Sequence, residues 1–237
     1  MTAAVLYNVV PLDFSLNNRT AHHTTPEYLP HEIPVLYHDD YLVVLNKPSG
    51  LLSVKGIGPT KMDCLALRVA SAIEGARIVH RLDMDTSGVI VMARDADTHR
   101  ALSIQFQERM VHKEYVAIVG GVIDCDEGQI EIPIRKDMQN PPKQCVDFTH
   151  GKPCFTKWEV NKRLVNATRL RLKPTTGRSH QLRVHLNEIG HPILGDNLYA
   201  SPAYLSMAKR LMLHAESLSF KHPATQSKLT ITAECPF

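Results

Sequence analysis

The sequence predicts a chain in which short strands outnumber helices, and three observations carry that expectation. Short runs of Val, Ile, Leu and Tyr recur between clusters of Gly, Pro, Asn and Asp, the signature of strands and turns. Stretches with helical spacing and cap residues are few: 64–74, 95–109, 179–189 and 205–211. Strands such as Thr168–Lys173 alternate apolar and cationic residues, as a strand with one packed face does.

Taken in order, residues 1–30 read as an irregular extension or arm, rich in Asn, His, Thr and Pro, with a short strand at Val5–Val10. The remainder, 31–237, reads as one domain. Val35–Tyr37 and Leu42–Leu45 form a hairpin about His38-Asp39-Asp40. Asp63 is placed to cap a helix from Cys64 to Glu74 with Leu67, Ala70 and Ile73 on its apolar face, and Gly75 ends it. Val89–Ala93 is a buried β-branched strand, and the loop feeding it is His80-Arg81-Leu82-Asp83-Met84-Asp85-Thr86-Ser87-Gly88. Asp95 caps the next helix, with Leu102 and Phe106 one turn apart. Lys113–Val119 and Gln129–Ile134 are strands, Arg135–Gln144 is a basic, proline-broken loop, and Cys145–Phe148 pairs with Phe155–Arg163. Trp158 belongs to the core. Ser179 caps a helix running to Ile189, with Leu182, Leu186 and Ile189 on the core side and His180, Arg183 and Asn187 on another face. A short helix at Leu205–Leu211 precedes strands at Leu218–Phe220 and Leu229–Ala233.

Composition excludes more than it selects. A chain of 237 residues buries enough surface to need no staple. The five cysteines are scattered, odd in number and without a Cys-x-x-Cys, which argues against a disulfide framework or zinc site and suits a reducing, cytosolic setting. The thirteen histidines show no metal-ligand spacing, and no segment is long and apolar enough to span a bilayer. The net charge of +3 is unremarkable, but its distribution is not. From Asn161 to Leu186 there are seven Lys or Arg and no acid. Within this stretch Arg169, Arg171 and Lys173 share one strand face, spaced about 6–7 Å apart, close to the phosphate spacing of a nucleic-acid strand. A polyanion is the expected partner.

His80-Arg81-Leu82-Asp83 followed by Thr86-Ser87-Gly88 resembles the signature of the RluA-type pseudouridine synthases. Asn46-Lys47-Pro48-Ser49-Gly50, Lys113-Glu114-Tyr115 and Thr176-Gly177-Arg178-Ser179-His180-Gln181-Leu182-Arg183 resemble three further motifs of that family, and Gly190–Asp196 resembles another, read here as a structural turn. The resemblance runs from about residue 34 to the end and is closest to the family's short branch. That branch lacks the S4-like N-terminal domain and modifies both large-subunit ribosomal RNA and transfer RNA.

The resemblance implies an α+β fold, a mixed, mostly antiparallel central sheet flanked by helices and loops. It also implies Asp83 as the catalytic carboxylate, Tyr115 against the target uracil, and Arg183 paired to Asp83 by a charge-assisted, bidentate hydrogen bond. The reaction it implies is an isomerisation: the N1–C1′ bond of uridine breaks, the base turns, and C5 is joined to C1′, with no cofactor and no metal. The substrate is a stem-loop uridine extruded into the cleft, its vacated space filled by Arg81. His80, Arg81, Lys113, Arg169, Arg171, Lys173 and Arg178 are the expected RNA-binding side chains, and a monomer is the expected form. Two rival readings remain: an RNA-binding or chaperone protein that has lost the chemistry, and a hydrolase using Asp83 with Asp85. The latter suffers because neighbours in one short loop seldom reach the opposed geometry of paired carboxylates.

Overall fold

The computed structural model describes residues 27–29, 33–58 and 61–237. Among these residues thirteen strands and four helices follow one another: β1 (Glu27–Leu29), β2 (Ile33–His38), β3 (Leu42–Lys47), α1 (Leu65–Ala70), β4 (Arg77–Ile78), β5 (Ser87–Ala93), α2 (Ala96–Gln107), β6 (His112–Gly120), β7 (Glu127–Ile130), β8 (Ile134–Lys136), β9 (Gln144–Val146), β10 (Thr156–Arg163), β11 (Ala167–Pro174), α3 (Gln181–Glu188), α4 (Pro202–Ser206), β12 (Leu213–Lys221) and β13 (Lys228–Thr232). Eleven strands make one sheet in the order β1-β2-β3-β5-β12-β6-β11-β10-β7, with β4 added to β5 and β13 to β12. Every pairing is antiparallel except β5 with β12. The fold is therefore α+β with a mixed, mostly antiparallel sheet, and β8 and β9 form a separate hairpin.

Residues paired across neighbouring strands point to the same side of a sheet. On the front, Leu45 faces Ile90, and Ala215, Tyr115, Leu172 and Trp158 line up across β12, β6, β11 and β10. Leu65 and Val69 of α1 and Leu182 and Leu186 of α3 pack on that face. On the back, Val44 faces Val91, and Leu102 of α2 seals a core with Val89, Leu218 and Phe220.

The parallel junction of β5 and β12 fixes the position of the loop before β5. There Gly88 has φ 114°, and a Cβ on it would lie 2.2 Å from the Ala215 carbonyl oxygen, so only glycine fits. Beside it the Ser87 hydroxyl bonds His214 Nδ1 at 2.8 Å and accepts from Arg210 Nη2 at 2.6 Å, while His214 Nε2 meets the Ala233 carbonyl at 3.1 Å.

Several expectations change in three dimensions. Residues 27–29, expected to belong to the irregular arm, form β1 and pair with β2; the strand expected at Val5–Val10 lies outside the described residues. Asp63 does not cap α1; it is drawn instead into a two-bond contact with Arg68, and the helix buries Leu65 and Val69 while Leu67 is exposed. The strand expected at Gln129–Ile134 is split, because Pro133 has no N–H to continue a ladder. Cys145 pairs with Arg135 in the β8–β9 hairpin rather than with β10, whose two edges are taken by β11 and β7. Ser179 does not cap α3, because His180 turns into the left-handed region ahead of it. The last helix starts earlier than expected, with Pro202 in its first turn, where a missing N–H costs nothing.

Candidate active site

The 80–88 loop leaves β4, crosses the front of the sheet and enters β5, and its backbone is clamped on both sides of Asp83. Ser53 Oγ donates to the Leu82 carbonyl at 2.7 Å and accepts from the Leu82 N–H at 3.1 Å. Past Asp83, the Met84 carbonyl accepts from Gly50 N–H at 2.9 Å and from Lys47 Nζ at 2.9 Å, and Ser49 Oγ donates to the Asp85 carbonyl at 2.7 Å. Lys47 has no exposed surface. Its ammonium also reaches the carbonyls of Pro48 and Leu51, so each of its three protons has an acceptor. Burial pulls its pKa down to about 7 against the opposing charges of Asp85 and Asp83. The Asn46–Gly50 segment thus serves as the seat of the Asp83 loop.

The Asp83 side chain, 24 % exposed, faces Arg183 Nη1 at 3.7 Å from Oδ2 and His180 Nε2 at 4.0 Å from Oδ1. This corrects the bidentate bond expected between Arg183 and Asp83. The fork of Arg183 goes to Asp196 instead, Nε to Oδ2 at 2.8 Å and Nη2 to Oδ1 at 2.6 Å, with Nη2 also 3.2 Å from Asn197 Oδ1. Both partners are buried, at 3 % and 1 % side-chain exposure. Burial works against the Arg183 charge, but the bond and charge of Asp196 and the charge of Asp83 outweigh it and hold its pKa above the ordinary value. Asp196 further accepts the N–H groups of Leu198 and Tyr199, which ties the 196–199 turn to α3. The Tyr199 ring lies 5.3 Å from the Arg183 guanidinium. Asp196, read from sequence only as part of a structural turn, is the residue that aims Arg183.

Tyr115 packs against both front-face clusters. Burial, reinforced by the nearby Asp83 charge, pushes the phenol well above its ordinary pKa, so it faces the site protonated. Lys113, two residues earlier, donates to the Thr176 carbonyl at 3.1 Å and joins β6 to the turn before α3; burial lowers its pKa to about 8, helped by Arg109.

The other expected RNA contacts divide. Arg81 and Arg178 are exposed, two residues in sequence from Asp83 and His180 respectively, and Arg81 makes no hydrogen bond or ion pair among the described residues. His80 is used by the fold: its ring stacks on Phe106 at 4.5 Å between centroids, and Nε2 accepts the Val91 N–H at 3.1 Å. Arg169, Arg171 and Lys173 do not reach the site. Arg171 is paired with Val116 and Leu172 with Tyr115, so the cationic residues point to the back while Tyr115 points to the front. Nor is the stripe of single sign once neighbours are in place. Lys173 Nζ is 2.7 Å from Glu159, Arg171 Nε is 3.9 Å from Glu114, and Arg169 bonds the main-chain oxygen of Phe237. The stretch holds no acid in sequence because its acids come from β10 and β6.

Asp85 is bonded to Asn197 Nδ2 at 3.3 Å and stands outside the Asp83–Arg183–Asp196 group. Among the described residues no helix is long and apolar enough to cross a membrane.

Residues 41–188 match the family model for RNA pseudouridylate synthase. The chain is 44% identical over 214 residues to the dual-specificity RNA pseudouridine synthase RluA of Vibrio cholerae, covering 89% of this chain and 87% of that one. It is 48% identical over 204 residues to the protein of the same name from Escherichia coli K12, covering 86% and 93%. The solved structure of human RNA pseudouridylate synthase domain containing 1 superposes with a TM-score of 0.72 at 27% identity over 86% of this chain and 84% of that one. That of domain containing 4 gives 0.68 at 29% identity over 85% and 88%. Fold, motifs and similarity over most of the chain agree that it belongs to the RNA pseudouridylate synthase family and is an isomerase that converts uridine to pseudouridine in RNA.

Proposed function

We propose that this pseudouridine synthase has dual specificity, acting on stem-loop uridines of both large-subunit ribosomal RNA and transfer RNA, with Asp83 as its catalytic carboxylate. The dual specificity is that named for the Vibrio cholerae and Escherichia coli relatives, and the role of Asp83 rests on one observation above the others. Asp83 is held by its backbone on both sides and faces a guanidinium that is itself immobilised by a second, buried acid. A carboxylate set in that way can meet C1′ as the N1–C1′ bond breaks. The uracil turns, C5 bonds to C1′, the C5 proton leaves to solvent and N1 takes a proton, so atoms balance without a cofactor. Tyr115 stacks on or abuts the uracil as a neutral phenol. Arg81, exposed at the loop, enters the space left by the extruded nucleotide, and Lys113 and Arg178 flank the entry. All of these groups come from one chain, so a monomer suffices. The cytosol, where such RNAs are found, also suits the five scattered cysteines.

The test uses tRNA and ribosomal RNA tritiated at uridine C5 and isolated from cells lacking the gene. The native chain should release tritium from both pools, and Asp83→Asn should release none while binding RNA within severalfold of the native protein. Full turnover by Asp83→Asn would remove Asp83 from the chemistry. Release from one pool alone would reduce the dual reading to a single substrate class.

A further inference from the structure

His180 is one of three non-glycine residues with positive φ among the described residues, at φ 54° and ψ 14° immediately before α3. That backbone is uncommon outside glycine and is kept where surroundings enforce it. Here it turns the imidazole so that Nε2 lies 4.0 Å from Asp83 Oδ1 and Nδ1 lies 2.7 Å from the Tyr199 hydroxyl. The same hydroxyl oxygen accepts the main-chain N–H of Gln144, at the start of β9, at 2.8 Å. Its own proton then has one acceptor among the described residues, His180 Nδ1. The tautomer follows, because the partner of one ring nitrogen decides where the proton sits. Nδ1 accepts, and Nε2 carries the hydrogen and aims it at Asp83. Burial, the Arg183 charge adding to it, keeps the ring from charging against the pull of Asp83, and burial holds Tyr199 protonated with a pKa pushed up to about 12.

Arg183 cannot orient Asp83 alone, since Nε and Nη2 are taken by Asp196 and only Nη1 remains for Oδ2. We propose that His180 is the second positioning residue for Asp83, a neutral Nε2–H donor to Oδ1 whose tautomer is set by Tyr199 and, through it, by the β8–β9 hairpin. With a donor at each oxygen the carboxylate plane is fixed, and its approach to the sugar with it. The 4.0 Å gap closes in the RNA complex, as separations in empty sites commonly do. The inference rests on Asp83 being the reacting carboxylate.

Two amides that mimic different ring nitrogens provide the test. In His180→Gln the amide nitrogen reaches the place of Nε2 and keeps a donor toward Asp83. In His180→Asn it stops near the place of Nδ1. Tyr199→Phe removes the proton that selects the tautomer. With C5-tritiated tRNA from cells lacking the gene as probe, kcat should fall about tenfold to a hundredfold in His180→Asn, the scale of a misplaced reacting group. KM should stay near the native value, His180→Gln should keep most of kcat, and Tyr199→Phe should fall between. Equal losses in the two amide variants, a loss carried by KM, or a native kcat in Tyr199→Phe would each overturn the proposal. If His180→Asn does not fold by circular dichroism, His180→Gln and Tyr199→Phe decide the matter. Asp83→Asn separates this inference from the reading beneath it. If it is inactive while His180→Asn is fully active, only the role of His180 falls; if it is active, both fall.

Discussion

Asp196, read from sequence only as part of a turn, is what fixes Arg183 beside Asp83. It gives Arg183 its two-bond partner in a place with almost no solvent, where an unpaired charge costs several kcal/mol. Asp196→Ala should therefore lower stability by about 3–5 kcal/mol, which for a chain of this size is a fall in Tm of roughly 6–20 °C by calorimetry. A variant melting with the native protein would mean that Arg183 finds another partner. His80 makes a prediction about pH. Burial lowers its pKa from 6.5 to about 3, with a smaller push from Lys113. Between those values the unfolded chain holds a proton on His80 that the folded chain does not, so stability rises with pH across this window and is lost as pH falls through it. The slope is at most about 1.4 kcal/mol per pH unit. His80→Phe removes this titration, so from about pH 6.5 to about pH 4 the Tm of the native protein should fall faster than that of the variant. Parallel curves would contradict the assignment.

Among elements, the loop from His80 to Gly88 is held by a segment roughly 30 to 40 residues away in sequence. Lys47 is the centre of that clamp, with three carbonyl acceptors and no exposure. Lys47→Met fills the space but leaves the Pro48 and Leu51 carbonyls without this donor, at about 1–3 kcal/mol for a buried polar group, while Met84 keeps the Gly50 N–H. The denaturant midpoint should drop accordingly and tritium release should slow, with RNA binding retained. Unchanged turnover would show that Ser49, Gly50 and Ser53 hold the loop by themselves. The Asn46–Gly50 motif was legible as residues. Its purpose was not, since nothing in the sequence says that a lysine at the end of one strand will turn inward onto the loop before another.

For the whole molecule, the two faces of the sheet have separate duties. The front carries Tyr115, α3 and the Asp83 loop; the back carries the α2 core and the cationic residues of β11 with their acids. Replacing Arg169, Arg171 and Lys173 together by Gln should leave the salt dependence of RNA binding unchanged. Replacing Arg81 and Arg178 should flatten it by about 0.7 for each single-strand phosphate that is no longer neutralised. The reverse outcome would place RNA on the back of the sheet.

Local sequence was enough for the elements whose cause is local. These are the apolar run of β5, the Asp95 cap that accepts the Thr98 N–H at 2.8 Å, the alternation of β11, and the motif residues that gave the family and with it the fold and the reaction. What depends on pairing was decided only in three dimensions. Which face the β11 cations share, which acid takes the fork of Arg183 and which carbonyls receive Lys47 are all matters between distant segments. Register and burial select those partners, and neither is a property of any one stretch of chain.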